Sequence, residues 1–506
     1  MKYICVIVWF TLATSVSAGE AKLPTKEAAF SLSYDELTLR SFNDEKMGIL
    51  GGNLLFEIEG FEGLFIGPAA YGSITGQRGG FITLGLASKL NIEINKALFI
   101  EGGTFVGAGG GHGGYQLQGG GLMLREHIGL GWHGDLGALT LGVSRVDYPN
   151  GHVASTQGYV SYAKDFLSVL PSGWLTKHDK EPLLQEQRNR NAIAVTYKQY
   201  NISSSVVNSA GGAQFPTLGL VGITWKQSIA DGLYVRIETE GAMRGQSNGY
   251  MQILLGLGAQ YPVANGLSIY GSASAGVAGG GGVDTGGGLL TDMSVGVQAQ
   301  HMSGLFLAVD AGLVSSPQAS FKARSVAVHV GQSFDTPQAS GREMNVNVFS
   351  GFDVQHLRMR FVHQSYFELS NSTKVWRTHH ANRDVNLLGF QNDFFLNEYA
   401  FITGQGIAAY EGQAGGYMTG LLGAGFKYPV HAKWSVETEA LIGAAGGGGL
   451  TVGGGLVWQV NAGAVYQLTD SYDIIAQIGR INAPKGDFAA NTFSISTAYS
   501  FSLFMH

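Results

Sequence analysis

Along most of this chain, hydrophobic and polar residues alternate with a period of two, and helical periodicity is scarce. The last segment, "NTFSISTAYSFSLF", is the clearest. Phe493, Ile495, Thr497, Tyr499, Phe501 and Leu503 fall on one face, and Ser494, Ser496, Ala498, Ser500 and Ser502 on the other. The segment 456–468 behaves alike: Leu456, Trp458, Val460, Ala462, Ala464, Tyr466 and Leu468 share a face opposite Gln459, Asn461, Gly463 and Gln467. Each such stretch predicts a strand with one apolar side.

The strands recur in a long internal repeat. Three glycine runs, "GAGGGHGGYQLQGGG", "GVAGGGGVDTGGG" and "GAAGGGGLTVGGG", end at Gly121, Gly288 and Gly455, each 167 residues from the last. A second landmark keeps step: Gly76-Gln77, Gly245-Gln246 and Gly412-Gln413 each open a turn before a strand. Low complexity alone would not hold two landmarks in register, so the chain is a triplication. About eight strands fit each repeat, which predicts about 24 antiparallel strands. The boundaries expected are 28–166 and 193–335 for the first two repeats and 344–506 for the third, with a polar insertion at 167–192.

A sheet of this size must split, curl or close. Its outward apolar faces need a core or lipid. The expectation is an all-β fold: a single large antiparallel transmembrane β-barrel spanning residues 28–506. The choice of one barrel over three small ones rests on the inward residues. Along 267–277 they are Ser268, Tyr270, Ser272, Ser274 and Gly276. Small barrels are filled by side chains, and groups this small leave a lumen empty. A secreted glycine-rich β-sandwich or fibre protein is the soluble alternative.

Composition narrows the classes. Glycine accounts for 77 of 506 residues and charged residues for only 13%, about half the usual share of roughly 25%. A net charge of −6 gives no basic footprint for nucleic acid. The N-terminus, "MKYICVIVWFTLATSVSAGE", has a lysine, an apolar stretch and a small-residue site ending at Ala18, the pattern of a secretory signal peptide over 1–18. Residues 19–27 then form a short periplasmic tail. The one cysteine, Cys5, lies in the leader, so the mature chain has no disulfide or thiol chemistry.

The C-terminal "AYSFSLF" resembles the aromatic-rich final strand of bacterial outer-membrane β-barrel proteins. That resemblance implies an outer-membrane location, a periplasmic C-terminus, outer-membrane lipid as surroundings, and recognition by the barrel assembly machinery through Tyr499, Phe501 and Phe504. Unlike chains that end on the aromatic itself, this one continues with Met505 and His506. Counting strands back from there puts the glycine-run turns outside the cell.

Candidate chemistry is sparse. Gly109 through Gly114 formally match a nucleotide-binding glycine pattern, but a strand follows where a helix is needed. The inward ionisable and aromatic candidates are Glu101, Arg125, His127, Tyr270, Glu437 and Glu439, with Glu101, Tyr270 and Glu437 at matching repeat positions. As lumen-lining residues they would tune ion selectivity; the alternative is an ordinary wall. The outer-turn glycines are Gly109, Gly110, Gly111, Gly119, Gly120 and Gly121, then Gly279, Gly280, Gly281, Gly282, Gly286, Gly287 and Gly288, then Gly446, Gly447, Gly448, Gly449, Gly453, Gly454 and Gly455. Two roles fit them: shaping turns, or clearing space at the outer mouth so that a backbone or ligand comes close. The loop at 369–384 carries His379 and His380 but no third metal ligand at a recognisable spacing. No metal, cofactor or catalytic constellation emerges. The function expected is a non-enzymatic wide conduit, or the barrel subunit of an export complex with periplasmic partners, for a bulky hydrophilic cargo such as exopolysaccharide or an extended polypeptide. The competing expectation is a surface structural or adhesion barrel with a partner-filled lumen.

Overall fold

The computed structural model describes residues 22–24, 26–58, 61–112, 117–168, 188–337, 343–345, 353–367 and 384–505. The signal-peptide segment, most of the 167–192 insertion and the 369–383 loop with its histidines lie outside these residues. Among the described residues, a short antiparallel pair, β1 (Lys22–Pro24) with β18 (Glu343–Asn345), precedes the first and third barrels.

The remaining 24 strands follow the expected alternation and repeat, but they close differently from the single-barrel expectation. Barrel 1 is β2 (Lys26–Leu39), β3 (Glu45–Glu57), β4 (Leu64–Thr75), β5 (Ile82–Glu93), β6 (Leu98–Gly110), β7 (Leu122–Gly134), β8 (Gly137–Asp147) and β9 (Ala154–Ser168). Barrel 2 is β10 (Arg188–Ile202), β11 (Thr217–Ala230), β12 (Leu233–Arg244), β13 (Met251–Ala264), β14 (Leu267–Gly279), β15 (Leu289–Gln300), β16 (Leu305–Ser315) and β17 (Lys322–Pro337). Barrel 3 is β19 (Asp353–Phe367), β20 (Val385–Phe395), β21 (Ala400–Glu411), β22 (Met418–His431), β23 (Trp434–Gly446), β24 (Leu456–Gln467), β25 (Tyr472–Asn482) and β26 (Ala489–Met505).

Each repeat closes on itself. Its first strand pairs with its own eighth, as in Leu32 opposite Tyr162, Val195 opposite Val330 and Phe361 opposite Thr497. Three eight-stranded barrels therefore replace one common ring. The physical reason lies in how neighbouring strands share the interior. The small inward residues of β26 do not leave a void: Ser500 and Ala498 stand opposite Arg358 and Arg360 of β19, and their smallness makes room for the two guanidinium groups.

The faces are those read from the alternation. Trp458, Phe493 and Ile495 are 36, 38 and 44% exposed, whereas Ser494, Ser496 and Ser502 are buried. Outward apolar columns run around the perimeter, such as Leu139, Leu141 and Val143 on β8 and Val326, Val328 and Val330 on β17. At the end opposite the glycine runs, exposed aromatics cluster: Trp132, Tyr162, Tyr261, Tyr399, Tyr428, Trp434 and Tyr472. Tyr499 joins them, its ring 5.1 Å from Tyr472 and 5.9 Å from Phe501. No described helix is long and apolar enough to cross a membrane.

Candidate functional site

Two places concentrate unusual chemistry: the barrel interiors, and the ends where the glycine runs lie. In each interior a charged middle layer sits below an apolar lid.

In barrel 1, Arg125 on β7 reaches across to Asp35 on β2, with Nε 3.2 Å from Oδ2 and Nη2 3.2 Å from Oδ1. Its Nη1 lies 2.8 Å from His127 Nδ1, and His127 Nε2 lies 3.4 Å from Glu101 Oε1. Tyr159 and Thr140 donate to Glu101 at 3.3 and 3.4 Å, and Lys89 stands 3.7 Å from it. The Arg125 guanidinium also lies over the rings of Tyr71 and Tyr159 at 5.4 and 5.1 Å. A cavity of about 20 Å³ bordered by Ser33, Asn53, Glu101 and Arg125 remains, room for about one water.

Barrel 2 is centred on Lys198, whose Nζ lies 2.9 Å from both Glu238 and Asp292 and 3.3 Å from Glu240. Arg236 pairs with Glu238 and donates to Ser272. Tyr270 donates to Asp310 at 2.9 Å, and His329 meets the same carboxylate at 2.9 Å. In barrel 3, Arg358 pairs with Asp393 and Glu437 at 2.7 Å each. Arg360 pairs with Asp393 and Glu437 at 2.6 Å each and lies 3.5 Å from Glu439. Both arginines are fully buried. Buried charges persist only when paired and hydrogen-bonded, and here amides from Gln391, Asn461 and Gln477 complete the shells of Glu439 and Glu437.

Above these layers, toward the glycine-run end, each barrel is closed by buried apolar residues at matching repeat positions. Phe81, Leu117 and Val153 cap barrel 1. Tyr250, Val283 and Phe321 cap barrel 2, and Tyr417, Leu450 and Phe488 cap barrel 3. Each lid takes one residue from the Gly-Gln turn, one from the glycine run and one from the turn before the eighth strand.

The six inward candidates therefore all face interiors, but not one lumen. Glu101, Arg125 and His127 meet in barrel 1, Tyr270 lies in barrel 2, and Glu437 and Glu439 lie in barrel 3. They are ion-pair and hydrogen-bond partners within packed cores, not the wall of a wide pore. Among the described residues, the chain's own side chains occupy the interiors that the competing expectation fills with a partner. Sequence reasoning missed Asp35, Lys198, Arg236, Glu238, Glu240, Asp292, Asp310, His329, Arg358, Arg360 and Asp393. A signal was present in the charges spaced by two in "RIETE", "RMR" and "VETE".

The glycine runs do something other than keep a mouth open. Each packs against the Gly-Gln turn of a neighbouring barrel, and the three contacts form a closed ring. The third strand of each barrel meets the fifth strand of the next: β4 against β14, β12 against β23, and β21 against β6. A Cβ on Gly121 would overlap the Ala409 carbonyl oxygen, one on Gly288 that of Ser73, and one on Gly455 that of Ala242. These are the three glycines that mark the 167-residue period. Backbone bonds cross two seams: Gly79 N donates to Gly286 O at 2.7 Å and Gly416 N to Gly109 O at 3.1 Å. Gln118 Nε2 adds a bond to Gly415 O at 3.0 Å. Some positions also need glycine for the chain path, as Gly282 does with φ +79° and open space around it.

No family model matches the chain, and no curated protein does. Solved structures match over nearly its whole length at low similarity. The siderophore receptor PirA from Pseudomonas aeruginosa is 10% identical with a TM-score of 0.27, covering 94% of this chain and 80% of that one. OccK11 (OpdR) from Pseudomonas aeruginosa is 12% identical with a TM-score of 0.22, covering 95% and 96%. OpdQ from Pseudomonas aeruginosa is 11% identical with a TM-score of 0.20, covering 95% and 97%. At TM-scores this low, the likeness carries nothing about how this chain's strands close or what it does.

Proposed function

We propose that the chain is a non-enzymatic integral protein of the bacterial outer membrane. In this reading it is a rigid three-barrel platform that acts through the surface it presents outside, not by conducting bulky cargo. Membrane insertion is supported by the outward apolar columns, the aromatic cluster at one end and the signal-peptide pattern. The C-terminal aromatic strand supports delivery by the barrel assembly machinery.

The observation that carries the platform reading is the double seal: an apolar lid over a paired ionic layer in every barrel. A polysaccharide or polypeptide has no path through such an interior, so the wide-conduit expectation gives way to its structural competitor. A second, narrower reading, passage of small ions, is favoured only by the cavity in barrel 1.

Planar-bilayer recording separates the readings. The platform predicts insertion, shown by heat-modifiable gel migration, without discrete current steps. Small steps that vanish when Glu101 becomes Gln would favour the ion path. Large, cargo-sized conductance from the intact chain would overturn both.

A further inference from the structure

The outer rim of barrel 2 carries two cations that the platform reading does not use. Lys322 and Arg324 open β17 and point outward, both exposed. Arg324 sits opposite Asn201 of β10 and Leu313 of β16, and Lys322 opposite Ser315. No carboxylate pairs with either cation among the described residues. Directly below them on the same face run Val326, Val328 and Val330, at 46, 38 and 53% exposure. Barrel 1 differs at the matching rim. There Arg145 lies 3.5 Å from Asp147 and opposite Glu126 across the strand pair.

We propose that Lys322 and Arg324 bind the phosphate of an anionic lipid in the outer leaflet, with its acyl chains along the valine column. The inference rests on the membrane reading above. The charge complementarity is direct. A guanidinium and an ammonium one outward position apart offer several donors to phosphate oxygens. The apolar column begins one residue pair below, where chains follow a headgroup. Long cationic side chains at the edge of an apolar band also reach naturally toward headgroups. At barrel 1, the carboxylates of Asp147 and Glu126 compete for Arg145 and repel phosphate.

The test uses the full-length protein in phosphatidylcholine nanodiscs doped with phosphatidic acid, with retained lipids counted by native mass spectrometry. The wild type is expected to retain phosphatidic acid preferentially. The double variant Lys322→Gln, Arg324→Gln should lose that preference by roughly 30-fold, as two cations near a membrane surface imply. Arg145→Gln should leave it nearly unchanged. Equal retention by wild type and double variant would overturn the proposal, as would equal loss in the Arg145 variant. A wild-type chain that enters nanodiscs but shows no preference refutes this site alone. A chain that stays soluble without detergent and never enters them refutes the membrane reading itself.

Discussion

Replacing Arg360 with Met will destabilise barrel 3 by about 3–5 kcal/mol, because it strands carboxylates in a dry interior. Arg360 is the shared partner of Asp393, Glu437 and Glu439. Without it, Arg358 alone faces three buried acids, and a buried carboxylate without a partner loses its solvation uncompensated. The damage should stay local. Barrels 1 and 2 have their own networks, so limited proteolysis of the variant should release fragments of barrel 3 first while barrels 1 and 2 remain heat-modifiable. Converting Glu437 and Glu439 to Gln together with Arg360→Met should recover much of the loss, since Arg358 then keeps Asp393 as its partner and no carboxylate is left stranded. If the single variant unfolds no more readily than wild type, the interior is not a dry paired core, and water reaches it from a lumen.

The second large effect concerns the seams. Gly79, Gly120 and Gly446 each adopt a backbone conformation open to other residues, yet a side chain on each would strike another barrel. On Gly79 it meets Thr285 and the Gly286 carbonyl, on Gly120 the Tyr410 carbonyl, and on Gly446 the backbone of Gly249. Substituting Leu at all three should break the ring. Overpacking is expected to cost about 1–3 kcal/mol at each seam, while every barrel still closes. Spin labels on the outer turns of neighbouring barrels should move apart by several ångströms. Gly282→Ala is the control: its φ is positive but no neighbour lies within 4 Å, so it should cost about 1 kcal/mol and leave label distances unchanged. Unmoved labels in the triple variant would mean that the glycines only shape turns.

Both effects arise at places the sequence shows only in part. Strand positions, the two faces of β26 and the triplication follow from local period-two alternation, which a strand cannot hide. Closure does not follow, because the same alternation serves eight strands or 24. Judging the fill of an interior from the small positions of one strand requires knowing which strand lies beside it. Here Ala498 and Ser500 are small because Arg360 and Arg358 lie opposite them. The pairs Arg125–Asp35 and Lys198–Asp292 join residues far apart in the chain, separated by 90 and 94 positions, so no local spacing reveals them. The seam left a different trace. Backbone-to-backbone contact has no side-chain signature, but its closest points require glycine, on both sides where Gly79 meets Gly286 and Gly446 meets Gly249. That requirement explains why the glycine runs and the Gly-Gln turns keep the same period.

Whether each repeat closes on itself is tested most directly by cross-strand disulfides. Cysteines placed at Leu32 and Tyr162, register partners on β2 and β9, should oxidise to a disulfide within barrel 1. Those at Val195 and Val330 on β10 and β17 should do the same within barrel 2. With all four cysteines in one chain, a common ring would instead put β9 beside β10 and β17 beside β19, so the cysteine at 162 would link to the one at 195. Mapping the linked peptides by mass spectrometry decides between them. Self-closing repeats predict the pairs 32–162 and 195–330 in folded protein; efficient linkage of Tyr162 to β10, with neither of those pairs formed, would contradict them.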